Sequence, residues 1–214
     1  RSYYPRFIEF LSHIDVARSD DFWRERLADS ASSQFPQLPW PSYKVRATSK
    51  LQHTARISRV PGTEITIPSI VRAAWALTVS TYSSSEDVVF GEILTGRDIP
   101  LSGIVNMVGP TLATVPTRIQ INRELRIADF LTGIQKQIAE TMQYQFAGLQ
   151  HIKKLSSDAA VACDFQNLLA ISHGTEQPSD SFWNMLSTGS AECSFYTYPL
   201  NVSCTLIDTR VDID

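Results

Sequence analysis

DVVFGEIL, which occupies Asp87–Leu94, is a short run of β-branched and apolar residues. Such a run is typical of a strand in the middle of a sheet, where both faces are buried. The preceding segment, residues 67–79, is apolar almost all round, and Thr66 and Pro68 supply a cap and a first-turn proline. A helix that is apolar on every side is expected to be buried. A buried helix followed by a buried strand predicts a sheet with helices layered on it.

Further elements are predicted on the C-terminal side. Apolar residues alternate over 111–121, which predicts a strand, and Pro116 marks it as an edge strand or a bulge. Apolar residues at helical spacing predict an amphipathic helix over 127–142. Three further strands are predicted at residues 165–171, 193–198 and 201–207. The predicted fold class is therefore α+β, a mixed sheet covered by helices.

The N-terminal part is less regular. Residues 4–11 are expected to form a short helix or an extended arm, and Ser19 is expected to cap a helix that ends near Asp29. The run 35–41 contains three prolines, which fix φ and remove backbone donors, so it predicts a linker laid over the surface. A strand is expected within residues 51–60. Both ends of the chain look abrupt, and we therefore expect a piece of something larger.

Composition argues against two classes of partner. The 214 residues are 43 % hydrophobic and 19 % charged, enough to bury the core of one large domain or two small ones. A formal charge of -3 leaves no basic excess for a phosphate backbone, so we expect no nucleic acid partner. No apolar run reaches the roughly 18 residues of a membrane span, and the N-terminus lacks the apolar core of a signal peptide. We therefore expect no membrane partner and a cytoplasmic location.

Catalytic and metal-binding motifs are absent from the sequence. The histidines are His13, His53, His151 and His173, and none begins an HxxxD motif. A lone histidine can be a general base, but it is more often a surface or packing residue. The glycine-spaced loop at 95–110 lacks phosphate-loop spacing, so turns and close backbone approaches are expected there. The cysteines, Cys163, Cys193 and Cys204, form no CxxC pair and are expected to be reduced core thiols.

Nine short motifs, taken in order, resemble those of condensation domains of nonribosomal peptide synthetases. They are FWRERL at 22–27, FPQLP at 35–39, RAAWAL at 72–77, DVVFG at 87–91, TGR at 95–97, MVGPT at 107–111, TVPTR at 114–118, GLQ at 148–150 and DFQNLL at 164–169. Their order and spacing match over nearly the whole chain. The Gly-Pro-Thr and Thr-Val-Pro forms resemble the fungal branch, which includes terminal condensation-like domains that cyclise a finished peptide.

This resemblance implies a lobe similar to a chloramphenicol acetyltransferase protomer. Family members have two such lobes around a tunnel, and the active-site HHxxxDG or SHxxxD motif belongs to the N-terminal lobe. The chain resembles the part after that motif. Residues 1–60 would then be the connecting segment and linker from a preceding lobe. Residues 61–214 would be the C-terminal lobe, with its last elements truncated.

The implied reaction is amide bond formation, or peptide cyclisation and release, from a thioester on a carrier protein. The substrates would be carried on phosphopantetheine, with no cofactor bound directly. The implied partners are the N-terminal lobe, which carries the catalytic histidine, and a peptidyl carrier domain. The chain alone would be inactive because it supplies no catalytic residue. The alternatives are a non-catalytic half-domain that docks a carrier protein and a free-standing acyltransferase.

Three groups of site residues follow from the resemblance. Candidates for lining the tunnel are Gly109, Pro110, Thr111, Ala113 and Thr114, where Ala113 replaces an asparagine common in the family. Candidates for exposed contacts with the other lobe are Tyr3, Tyr4 and Phe7. Arg97 is expected to pair with the buried Asp of the absent motif and so to support the catalytic loop. The alternatives for Arg97 are a salt bridge with Asp98 or Glu92 and a solvated side chain.

Overall fold

The computed structural model describes residues 3–40, 43–45, 48–58, 62–174 and 198–214. Its helices are α1 (Pro5–Ser12), α2 (Val16–Leu27), α3 (Ile67–Ser83), α4 (Ile127–Thr141), α5 (Leu149–Ile152) and α6 (Ser157–Ala162), with 3₁₀ turns at Ile104–Asn106 and Met142–Ala147. Its strands are β1 (His53–Arg56), β2 (Asp87–Leu94), β3 (Ala113–Gln120), β4 (Asn167–His173), β5 (Leu200–Ile207) and β6 (Arg210–Ile213).

Over the described residues, the strands form one six-stranded sheet in the order β1-β6-β5-β4-β2-β3. The β2–β4 and β4–β5 pairs are parallel, and the other neighbours are antiparallel. The predicted mixed sheet is therefore confirmed. The expected central strand has the predicted bounds, Asp87–Leu94, and the proline-containing strand β3 lies at an edge, with Pro116 opposite Gly91.

Helices cover both faces of the sheet. Helices α3 and α4 pack on one face, where Val88 and Phe90 of β2 point. Helices α2, α5 and α6 pack on the other face, towards Val89. Because successive strand residues point to opposite faces, an uninterrupted apolar run such as β2 can contribute to both cores.

The N-terminal segment contains regular structure. Residues 5–12 form a helix and not an extended arm. Helix α2 begins three residues earlier than Ser19, because the Asp15 side chain accepts a hydrogen bond from the Arg18 N–H at 3.0 Å and acts as the cap. The prediction that Ser19 is the cap is therefore wrong, and Ser19 lies buried within the helix. Strand β1 pairs with β6, so the segment 1–60 supplies an edge strand, and a division at residue 60 stays a prediction.

Two other expectations need correction. Helix α3 is not buried on all sides, because Leu77 is 44 % and Tyr82 73 % exposed. Phe165 precedes β4, which begins at Asn167. Most of the strand predicted at 193–198 lies outside the described residues.

Candidate functional site

The loop between β2 and β3 is organised around the side chain of Arg97. One guanidinium nitrogen, Nη1, donates to the carbonyl oxygens of Ile104 at 2.6 Å and Met107 at 3.0 Å. Longer contacts reach the carbonyls of Val105 at 3.4 Å and Gly109 at 3.5 Å. A guanidinium carries several donors in a fixed plane and stays charged, so it can hold converging carbonyl dipoles in one place. The loop backbone therefore turns towards Arg97.

Gly96 is required for the same loop to close. Its φ is +66°, and a Cβ at this position would lie 1.8 Å from the carbonyl oxygen of Thr111. The Thr111 hydroxyl donates to the carbonyl of Thr95 at 2.8 Å. The start and end of the loop are thus fastened together beside Arg97.

Gly109 lies against the ring of Tyr4, the residue that precedes helix α1. Its φ is +151°, and a Cβ here would lie 2.2 Å from the ring of Tyr4. The Tyr4 hydroxyl donates to the carbonyl of Pro110 at 2.7 Å. Phe7 packs with Ile104 and Met107 beneath the loop. Helix α1 is therefore part of the support of this loop.

These contacts correct one expectation about the lobe contacts. Phe7 is only 3 % exposed, because it fills a small core with the loop residues. The expectation that Phe7 is exposed is therefore wrong. Tyr4 is half-buried and Tyr3 is 69 % exposed. Among the three candidates, Tyr3 has the accessible side chain that a contact with another lobe requires.

The tunnel candidates lie together in the last part of this loop and the start of β3. Thr111 and Ala113 are buried, Gly109 and Thr114 are half-buried, and Pro110 is exposed. The same loop also exposes three large apolar side chains, with Val105 73 %, Val108 84 % and Leu112 70 % exposed. Arg97 draws the carbonyls inward, and these three side chains project outward. The sequence analysis did not predict that Val105, Val108 and Leu112 are exposed.

The acids near Arg97 in the sequence have other partners. Glu92 is fully buried, accepts from Arg72 at 2.5 Å and accepts from the Thr117 hydroxyl at 3.0 Å. Asp98 accepts from the Thr95 hydroxyl at 3.3 Å. Among the ion pairs between described residues, none joins Arg97 to Glu92 or Asp98. The local-acid alternative for Arg97 is therefore not the arrangement that the structure contains.

The histidines are placed on the surface. His151 Nε2 lies 2.7 Å from Asp20 Oδ1 and links α5 to α2, while His13 Nδ1 lies 2.7 Å from the carbonyl oxygen of Glu9. His53 and His173 are exposed strand residues. A histidine that acts as a base for a nucleophile must lie within hydrogen-bond reach of it. In the described part of the chain, His151 has no hydroxyl or thiol among its hydrogen-bond partners.

The cysteines behave as core thiols where they are described. Burial raises the pKa of Cys163 from 9.0 to about 11, although nearby Lys153 acts in the opposite direction, and burial also raises the pKa of Cys204. Both thiols are therefore protonated at neutral pH and poor nucleophiles. Cys193 lies outside the described residues. No cluster of potential metal ligands occurs within the described ranges.

A groove of about 750 Å³ lies between α2 and α4 beside the edge of β3. Its charged side chains are already paired in two cases, since Arg118 binds Asp87 at 2.8 Å and Arg26 binds Glu140 at 2.7 Å. Arg118 also donates to the carbonyl of Ala28 at 2.6 Å. Arg118 fastens the segment after α2 to the sheet, and Arg26 joins α2 to α4. Their role is structural, and the sequence contained no motif that predicted these pairs.

Over the residues that can be described, no helix is both long and apolar enough to cross a membrane. The cytoplasmic location stays a prediction from the sequence.

The comparisons with known proteins agree with the motifs. The Condensation domain family model matches residues 1–211. The chain is 43 % identical over 215 residues to nonribosomal peptide synthetase 4 of Gibberella zeae and 41 % identical over 213 residues to nonribosomal peptide synthetase 1 of Aspergillus fumigatus. Each alignment covers 98 % of this chain and 3 % of the relative. The chain thus spans a small fraction of the length of these curated relatives.

Solved structures share the fold at low sequence identity. The EpoB NRPS cyclization-docking bidomain from Sorangium cellulosum superposes with a TM-score of 0.69 at 16 % identity, covering 98 % of this chain and 45 % of that one. A variant of the starter condensation domain of the rhizomide synthetase gives 0.58 at 13 % identity, covering 98 % and 48 %. The chain matches a little under half of each of these structures. With the family model matching almost every residue, the chain belongs to the condensation-domain family, as its motifs predicted.

Proposed function

We propose that this chain is the C-terminal lobe of a two-lobe condensation domain in a fungal nonribosomal peptide synthetase. One observation carries the proposal: the family model matches residues 1–211, yet the chain covers only 45 to 48 % of two solved chains that share its fold. A second lobe of similar size would account for most of the difference, together with the docking domain in the cyclization-docking bidomain. The two fungal synthetases at 43 % and 41 % identity support the assignment to that class of enzyme.

The proposed reaction is acyl transfer from a thioester to an amine. The amine nitrogen attacks the thioester carbonyl, the C–N bond forms, the C–S bond breaks, and the proton lost by the nitrogen ends on the released thiol. The thioester would be carried on the phosphopantetheine of a carrier domain, as would an acceptor amine that belongs to a second substrate. Carrier domains are therefore proposed partners together with the N-terminal lobe. Holding the two reactants in line can by itself contribute about 7 kcal/mol or more. An acceptor on a second carrier gives condensation, and an acceptor group within the same peptide gives cyclisation.

The proposal assigns the wall of the reaction tunnel to the loop that Arg97 organises. Gly109, Pro110, Thr111, Ala113 and Thr114 are proposed to line it. Tyr3 together with the exposed Val105, Val108 and Leu112 are proposed to meet the N-terminal lobe. Rigid apolar side chains that protrude from a surface are typical of protein contacts, because little conformational freedom is lost on docking.

Arg97 is proposed to support the catalytic motif as well as its own loop. Its Nη1 is occupied by carbonyls, while its Nε has no hydrogen-bond partner among the described residues. The half-buried guanidinium thus keeps a donor for the carboxylate of the motif Asp on the other lobe. Such a pair would hold the motif in shape without taking part in proton transfer, since guanidinium stays protonated at any working pH.

The experiment replaces the four histidines of this chain, His13, His53, His151 and His173, one at a time by alanine in the intact synthetase. The synthetase's own peptide product is measured by mass spectrometry under single-turnover conditions. Each variant is expected to form product within about twofold of the parent rate, because the base lies in the other lobe. A loss of about 100-fold or more in a folded variant would place the base in this chain and overturn the proposal.

A second arm tests the non-catalytic alternative. The histidine of the HxxxD motif in the preceding lobe is replaced by alanine in the same synthetase. Product formation at this step is expected to fall about 100-fold or more. An unchanged rate would favour a half-domain that docks a carrier protein without chemistry.

A further inference from the structure

Thr114, the second residue of β3, lies where the helices on its face of the sheet end. It pairs with Ile93 of β2, and cross-strand partners project from the same face of a sheet. Earlier positions of β2 on that face are covered, because Val89 packs among α2 and α6 and a Cβ at Gly91 would meet the Phe165 ring at 2.2 Å. Ile93 belongs to none of the apolar clusters that the described residues form. The row that contains Thr114 therefore lies beyond this cover.

This row continues into β4 and adjoins the loop that Arg97 organises. Ala170 of β4 is the next neighbour of Ile93. Thr114, Ile93 and Ala170 are all half-buried. The loop begins where β2 ends and returns to the sheet at Ala113, directly before Thr114. The Thr114 side chain is thus partly accessible at the proposed wall of the tunnel.

The two threonines among the tunnel candidates differ in what their hydroxyls bind. The Thr111 hydroxyl already donates to the carbonyl of Thr95 at 2.8 Å, and Thr111 is only 3 % exposed. The Thr114 hydroxyl has no hydrogen-bond partner among the described residues. The other three candidates have no polar side-chain atom: Gly109, Pro110 and Ala113. Thr114 is therefore the tunnel candidate whose side chain keeps a hydrogen-bonding group to offer to a ligand.

The chemistry of the proposed substrate matches a hydroxyl donor. An acyl group on a thioester brings carbonyl oxygens into the tunnel, the thioester carbonyl among them. A carbonyl oxygen that leaves water without gaining a hydrogen-bond donor raises the free energy of the complex. A threonine hydroxyl supplies one O–H donor, and its β-branched side chain has few χ1 conformations to lose when the substrate binds.

We propose that the Thr114 hydroxyl donates a hydrogen bond to a carbonyl oxygen of the thioester-bound acyl group and so positions this substrate against the tunnel wall. The inference rests on the proposed function, because it takes the loop and the start of β3 as part of that wall. The two threonines then have separate roles. Thr111 fastens the loop to Thr95, and Thr114 contacts the substrate.

The experiment compares Thr114→Val with Thr114→Ser in the intact synthetase. Valine keeps the shape of threonine without the hydroxyl, and serine keeps the hydroxyl without the methyl group. Product formation is measured by mass spectrometry under single-turnover conditions. The rate of Thr114→Val is expected to fall about tenfold, because a carbonyl removed from water loses its donor, and Thr114→Ser is expected to stay within about twofold of the parent. Urea unfolding should be the same for Thr114→Val and the parent, since the hydroxyl binds no described residue of the folded chain.

Thr54→Val is the matched control. Thr54 is a strand threonine on β1, at the opposite edge of the sheet, and its hydroxyl donates to Asp212 at 2.8 Å. Its variant is expected to form product within about twofold of the parent rate. A parent-like rate for Thr114→Val would overturn the inference, and so would an equal fall for Thr114→Ser. If Thr114→Val does not fold, Thr114→Ala is compared with Thr114→Ser, since both lack the methyl group that valine keeps, and equal rates of this pair would also overturn it.

The histidine of the HxxxD motif in the preceding lobe keeps the two proposals apart. Its replacement by alanine is measured in the same synthetase. If that variant loses product while Thr114→Val keeps the parent rate, the proposed reaction stands and the role of Thr114 is wrong. If the histidine variant keeps the parent rate, the proposed reaction itself fails.

Discussion

The hydroxyl of Tyr4 donates a hydrogen bond to the carbonyl oxygen of Pro110 at 2.7 Å, across 106 positions of sequence. The same tyrosine ring lies over Gly109, where no Cβ fits. Tyr4, which directly precedes helix α1, therefore supports the loop between β2 and β3. The conformation of this loop therefore depends on residues near the N-terminus as well as on the loop's own residues.

A methyl group at Gly109 should destabilise the protein. The Cβ would meet the Tyr4 ring at 2.2 Å, and the backbone at φ +151° is one that L residues rarely adopt. We expect Gly109→Ala to lower the free energy of unfolding by about 1 to 3 kcal/mol. The measurement is urea unfolding of the complete condensation domain.

The control for this variant is Gly133→Ala. Gly133 lies within α4 and a Cβ there would meet nothing within 4 Å. We expect this change to raise stability by about 0.5 to 1 kcal/mol, since alanine is the better helix former. If Gly109→Ala is as stable as the parent, the Tyr4 ring does not exclude a Cβ at position 109.

Loss of the Arg97 side chain should release the loop. Arg97→Ala removes the charged donor from the carbonyls of Ile104 and Met107, at an expected cost of about 2 to 3 kcal/mol in the complete domain. Limited proteolysis is expected to cut within residues 98–112. Arg97→Lys should restore only part of the stability, because a lysine cannot span several carbonyls with a planar group. The matched control is Arg123→Ala, whose exposed pair with Glu86 should contribute below about 1 kcal/mol.

Removing one partner of the buried ion pair should be costly. Among the described residues, Arg72→Met leaves the fully buried Glu92 carboxylate with the Thr117 hydroxyl as its one hydrogen-bond partner. We expect the free energy of unfolding to fall by about 3 to 5 kcal/mol. The double variant Arg72→Met with Glu92→Gln removes the isolated charge but keeps an acceptor for Thr117. It should therefore recover at least half of the loss in urea unfolding. A double variant no better than the single one would count against charge burial as the cause.

The buried thiols predict a fall of stability in alkaline solution. The pKa of Cys163 is raised to about 11 in the folded protein from 9.0, so the folded state retains its proton where the unfolded state has lost it. This contribution is complete below pH 9 and is lost as the pH rises from about 9 to 11. Cys204 acts in the same direction. The measurement compares urea unfolding at pH 8 and pH 10 for the parent and Cys163→Ala. Between these two pH values, the variant is expected to lose less free energy of unfolding than the parent.

How far the sequence predicts this fold depends on how local the determining contacts are. Strand β2 and the cap of α3 follow from neighbouring residues, and both were predicted at the observed positions. Asp15 and Ser19 are both good capping residues, and only the fold decides between them. The burial of Phe7 could not be predicted, because its partners lie about a hundred positions away in a loop. Arg97 binds backbone carbonyls, which every residue has, and therefore no side-chain motif predicts that contact.

The proline of β3 also limits how the sheet can grow. Pro116 has no N–H and sits in the middle of an edge strand, while the opposite edge, β1, is only four residues long and exposes His53 and Arg56. Unpaired strand edges are templates on which another chain can add, which is a route to aggregation. Among the described strands, both edges of the sheet are therefore poor templates for the addition of a strand from another chain.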